Sequence, residues 1–166
     1  MKYRLVKLDN LSGKKASVYT IIISGESETL YEKFIQENIG SFKSELIDIN
    51  TRLNVIGKKT GARDHYFKLH EGSFGDGICA LYDDPDKHLR LYCIKFGPQI
   101  VVLGGGGPKP KNIRALQEDE KLTEENYFLR DISKRITEKI IEKDITFSSD
   151  SLSFIGDLEF NYEDED

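Results

Sequence analysis

The run LRLYCIKFGPQIVVLGGGGPKPK, Leu89 to Lys111, limits the folds open to this chain more than any other stretch. Leu89–Phe96 and Gln99–Leu103 are rich in β-forming residues, and Gly97-Pro98 between them is turn chemistry, so the pair predicts a β-hairpin. Alternation puts Arg90, Tyr92 and Ile94 on one face of the first strand and Leu89, Leu91 and Cys93 on the other. The second set reads as core, which leaves Arg90 and Tyr92 on the less apolar face. Four glycines follow the second strand, and their bare backbone can lie close to a partner. Lys109 and Lys111 come directly after. A strand cation beside an aromatic suits RNA, where phosphate contact and base stacking act together. The alternatives are an ion pair of Arg90 with Asp83, Asp84 or Asp86, and a solvated loop at the glycines.

The rest of the chain supplies helices before and after this hairpin. Lys2–Leu8 and Val18–Ser24 read as strands, the second strongly β-branched. A helix is predicted from Ser27 or Glu28, ending at Asn38-Ile-Gly40. Ser41 then caps a second helix, in which Phe42, Leu46, Ile49, Leu53 and Ile56 share one stripe. The period then changes. His65–Leu69 and Ile78–Tyr82 join the hairpin strands as four closely spaced strands, which predicts an antiparallel meander. Leu116–Lys143 carries Leu129, Ile132, Ile136 and Ile140 on one side and reads as a helix. Ile145–Phe147, Ser151–Ile155 and Leu158–Phe160 are short strand-like pieces. The expected class is α+β: a helical hairpin packed on an antiparallel meander sheet, with an additional C-terminal helix and short strands.

A chain of 166 residues is one domain on this reading, placed over 1–156 with an acidic tail over 157–166. The tail holds six of the acidic residues and no basic one, whereas Thr51–Arg114 carries eleven Lys/Arg against six Asp/Glu. Such opposed blocks suit a nucleic-acid-facing middle with an acidic appendage, or else an ordinary mixed surface. No apolar run approaches the roughly 20 residues of a membrane span, and the first residues lack an apolar signal core, so the expectation is a cytoplasmic protein with no membrane partner. Cys79 and Cys93 lie in apolar strands and make neither a disulfide framework nor a metal site.

Nucleotide motifs fail. The glycine run lacks the Gly-Lys-Ser/Thr of a Walker loop, and Gly104-x-Gly106-x-x lands on Lys109 where a dinucleotide fold needs glycine. Asp83-Asp84-Pro85-Asp86 reads as a turn without the ligand spacing of a calcium loop. Lys68 and His70 share strand parity, can face one cleft, and are the acid–base candidates; His65 lies on the opposite parity.

Two helices, then a meander whose third strand reads LRLYCIKF and whose fourth reads IVVL before Gly and Lys, resemble the RelE/ParE/HigB superfamily of bacterial toxins. The resemblance covers roughly residues 28–115; the C-terminal helix and last strands extend beyond it. It implies a metal-independent, cofactor-free endoribonuclease that cleaves mRNA, usually on the ribosome, and is neutralised by an antitoxin protein. In such an enzyme a 2′-hydroxyl attacks the adjacent phosphate, helped by a base, an acid and cations. Arg90 would then stabilise the phosphate, Lys68 or His70 would move the proton, and Tyr92, Lys109 and Lys111 would hold RNA. The rival expectation is a non-catalytic protein-interaction module with the same fold. Catalysis requires these residues to converge in one cleft; the module requires scattered cations and exposed apolar groups on the sheet or the last helix.

Overall fold

The computed structural model describes residues 1–81, 86–110 and 119–163. The chain runs β1 (Lys2–Lys7), β2 (Ser17–Ile23), α1 (Leu30–Val55), β3 (Phe67–Lys68), β4 (Ile78–Leu81), β5 (Leu89–Phe96), β6 (Ile100–Pro108), α2 (Glu120–Ile141), β7 (Ile145–Phe147), β8 (Phe154–Gly156) and β9 (Glu159–Asn161). Seven strands form one sheet in the order β3-β4-β5-β6-β2-β1-β9, and β7 pairs with β8 apart from it. The meander β3 to β6 is antiparallel, as its short connections require. A single parallel seam, Ser17, Val18 and Tyr19 beside Ile100, Val101 and Val102, joins it to the β1–β2 ribbon. The class is therefore α+β, as expected.

A helical layer covers each face. Phe34, Leu46 and Leu53 of α1 pack on Val18, Cys79, Leu91, Cys93 and Val101. On the opposite face, Leu129, Ile132 and Ile136 of α2 pack on Ile21, Ile78, Tyr92, Ile94 and Val102. Strands covered on both sides carry apolar residues at both parities, which is how β5 and β6 read. Among the described residues no helix is long and apolar enough to cross a membrane.

Thr29-Leu-Tyr-Glu32 starts α1 with a capping box: the Glu32 N–H donates to Thr29 Oγ1 at 3.1 Å and the Thr29 N–H to Glu32 Oε1 at 3.2 Å. The helix then reverses. The Tyr31 hydroxyl donates to Asn50 Oδ1 at 3.0 Å although the two are 19 residues apart, a separation of roughly 28 Å along a straight helix. The bend falls at Phe42, which leaves helical geometry at φ −132° and ψ 37°. The expected hairpin is present, with its turn two residues beyond Gly40.

Where β2 and β6 diverge past the seam, Thr20 ties three elements. Its fully buried hydroxyl donates to the Leu103 carbonyl at 3.0 Å and accepts the Tyr31 N–H at 3.3 Å. Thr20→Val keeps the shape and removes both bonds, leaving a carbonyl and an amide unpaired. Urea unfolding followed by circular dichroism should show a loss of about 1–3 kcal/mol.

Two expectations change. The strand over His65–Leu69 shrinks to Phe67–Lys68, preceded by a 3₁₀ turn at Asp64–Tyr66, and His70 sits beyond it at a left-handed φ of 63°. The strand over Ser151–Ile155 begins only at Phe154, because a tight turn closed by the Ser148 N–H on the Ser153 carbonyl occupies the preceding residues. The strand expected at Leu158–Phe160 is present as β9, one residue later, and pairs with β1. Lys139 of α2 holds it there through Asp157 Oδ2 at 3.0 Å and the Glu159 carbonyl, with its ammonium 4.0 Å from the Phe160 ring centre.

Candidate functional site

Arg90, Tyr92 and Ile94 share one face of β5, and that face lies beneath α2. Arg90 and Tyr92 are each only 5% exposed. The less apolar face of β5 is thus a second core, not a solvent-facing surface. A chain of hydrogen bonds runs outward from it. Arg90 and Asn126 are the polar neighbours of the Tyr92 hydroxyl, and burial pushes that hydroxyl's pKa up against their pull. Asn126 Nδ2 donates to the Glu71 carbonyl at 2.9 Å. Arg130 Nε donates to Asn126 Oδ1 at 2.6 Å, and its Nη2 to the Glu71 carbonyl at 3.2 Å. Lys68 ends the series in an ion pair with Glu71 at 3.4 Å. Sequence reading missed Asn126, Arg130 and Glu71, because nothing local in the chain marks residues that meet only across a helix–sheet interface.

The glycine run explains how α2 comes so close. A Cβ on Gly104 would stand 2.9 Å from a Leu129 methyl, one on Gly105 2.2 Å from the Glu125 carboxylate, and one on Gly106 1.9 Å from the Arg90 carbonyl. Gly104 to Gly107 are buried within β6. The bare backbone does receive a close neighbour, and the neighbour is this protein's own helix and strand. The loop reading of these glycines is corrected accordingly.

Lys68, Ala80 and Tyr92 lie in one row across β3, β4 and β5, so Lys68, Arg90 and Tyr92 occupy the same side of the sheet. His70 does not join them. It is exposed, outside the strand, and its charge bears on Asp64. The Asp64 carboxyl is itself held below its ordinary range, chiefly by the hydrogen bond from Lys95. Lys109 follows β6, its N–H on the His88 carbonyl at 2.7 Å. The His88 ring stacks on Phe42 and pairs with Glu45, which places this corner against α1. Lys111, Asp83 and Asp84 lie outside the described residues. Cavities of about 520, 490 and 390 Å³ open elsewhere. None of the three is lined by Lys68, His70, Arg90, Tyr92 or Lys109.

Most residues that α2 turns outward are charged or polar, with the aromatic Tyr127 among them, and a second exposed ring stands in the turn beside the helix. Phe74 stands fully exposed at the tip of the turn over residues 73–76, beside the cleft of about 490 Å³ that Arg130, Lys134 and Glu138 also line. Tyr127, exposed on the same helix, carries the Arg130 guanidinium 4.6 Å from its ring centre. Fold and site together define a helix-covered mixed sheet with an enclosed polar network and an open aromatic rim. Compared with known proteins, the chain matches no family model, no curated protein and no solved structure.

Proposed function

We propose that this protein is a non-catalytic binding module that works through exposed surfaces, not through a reactive cleft. One contrast carries the reading: Arg90 and Tyr92, which must touch RNA for cleavage, are enclosed under α2, while Phe74 and Tyr127 beside the same network face solvent. Exposed aromatics flanking a guanidinium are the chemistry of protein hot spots. A dedicated protein partner, of the antitoxin kind that the resemblance implies, would meet the protein there.

The endoribonuclease reading keeps one observation in its favour. A helical hairpin followed by a four-strand antiparallel meander is the arrangement on which the toxin resemblance rests. Tightly induced expression in bacteria separates the two. The binding module should leave growth and mRNA length unchanged. Arrested growth with shortened mRNA, abolished by Lys68→Ala or His70→Ala at unchanged Tm, would overturn it.

A further inference from the structure

Three cations of the Thr51–Arg114 block, Lys58, Lys59 and Arg63, lie at one end of the sheet beside two lysines from far upstream. Three loops meet there. The N–H groups of Lys15 and Ala16 both donate to the Gly57 carbonyl, at 3.0 and 3.1 Å. A Cβ on Gly13 would stand 2.8 Å from Lys58 Cγ, so the Lys14-Lys15 loop and the π-helical turn Ile56–Thr60 are in contact. The Ala62 N–H donates to the Pro98 carbonyl at 2.7 Å, and a Cβ on Gly61, at φ +80°, would come within 3.4 Å of the Lys15 carbonyl.

Lys14, Lys15, Lys58, Lys59 and Arg63 are exposed on these loops. Among the described residues none of the five forms an ion pair. Lys58 Nζ is held by neutral oxygens, the Asn10 carbonyl at 2.9 Å and Asn54 Oδ1 at 2.8 Å, and Arg63 Nε by the Thr60 carbonyl at 3.3 Å. Of the carboxylates on the flank, Asp64 is engaged by Lys95 at 2.9 Å and Asp9 is solvated. Just past Arg63 the rings of His65 and Tyr66 lie 4.2 Å apart, with His65 exposed and Tyr66 packed on the α1 core.

Cations spread over two of these loops, lining none of the cavities described above, suit a polymer of repeated negative charge better than one small anion. An exposed ring on an anchored ring offers a platform for an unstacked base, which a duplex does not present. We infer that this loop end binds single-stranded nucleic acid, with phosphates on Lys14, Lys15, Lys59 and Arg63 and a base against His65. This goes beyond the surface at Phe74 and Tyr127 and does not depend on it.

The test is fluorescence anisotropy with labelled oligouridine RNA, oligothymidine DNA of equal length, and a matched duplex, between about 50 and 200 mM salt. Single strands should bind with affinity falling steeply as salt rises, and more tightly than the duplex; preference for RNA or DNA identifies which strand is natural. Lys14→Gln/Lys15→Gln/Lys59→Gln should weaken binding at least about tenfold and flatten the log–log salt slope by about 2, at roughly 0.7 per phosphate contact. His65→Ala should weaken single-strand binding about fivefold or more and leave the salt slope alone. Duplex binding equal to single-strand binding, or a triple variant that is folded by circular dichroism yet binds as wild type, would overturn the inference. Neither result touches the Phe74 and Tyr127 surface.

Discussion

Gly106→Ala should unfold the protein or weaken it by about 3 kcal/mol or more, while Gly107→Ala one residue later should be nearly neutral. A Cβ on Gly106 would stand 1.9 Å from the Arg90 carbonyl and 2.9 Å from its carbon. Those are backbone atoms of the paired strand, so relief requires β5 and β6 to part. The ladder is already irregular there, with a register shift between Leu91 and Cys93. A Cβ on Gly107 would meet only the Lys121 side chain, at 3.5 Å, which is ordinary contact. Alanine there also lowers the entropy of the unfolded chain, worth about 0.5 kcal/mol in its favour. Urea unfolding of the two variants measures the difference. Equal stability would mean that β6 does not approach β5 this closely and that the glycines serve another purpose.

Arg90→Ala should lower stability by about 2–4 kcal/mol, since it empties a buried volume and strips a donor from the Tyr92 hydroxyl. In a chain of this length each kcal/mol shifts Tm by about 2–4 °C, so thermal scans should fall by roughly 5–15 °C. Tyr92→Phe should lose about 1–2 kcal/mol by itself. The double variant should lose less than the sum, because both single changes break the same bond. An arginine held ready for a substrate phosphate gives the opposite result: its removal leaves Tm unchanged and abolishes a reaction. Thermal scans of these three variants therefore bear on function as well as on fold.

The contrast between what the sequence revealed and what it hid follows from the range of each interaction. Leu89–Phe96 was legible to the residue, because strand propensity and the Gly97-Pro98 turn are local. Alternation along it was read correctly too: Arg90, Tyr92 and Ile94 do share a face. Which face meets solvent was not legible, because both are covered and alternation cannot distinguish a second core from a wet surface. Gly104 to Gly107 misled for a related reason. Glycine lacks strand propensity, and at Gly104, Gly105 and Gly106 it is required by Leu129, Glu125 and the Arg90 carbonyl, all remote in sequence, which leave no room for a side chain. The Thr29 capping box was in plain view as Thr-x-x-Glu, two residues from the predicted start. The cluster on the loop end could not be foreseen, since Lys15 and Gly57 are brought together only by the fold.

The parallel seam bears on how the chain is made. The β1–β2 ribbon is made before the rest of its sheet, and neither of its outer edges finds its neighbour soon. The outer edge of β2 waits for β6, about 80 residues later, and that of β1 waits for β9, near the end of the described chain. The meander and the helical hairpin, by contrast, close over short stretches of chain and can form as they emerge. Folding of this protein should therefore be paced by late, long-range strand pairing, which is slow because loop closure precedes any contact that rewards it. During synthesis the nascent ribbon Lys2–Ile23 presents two unpaired strand edges until β6 and β9 follow, which is the kind of exposure a chaperone shields.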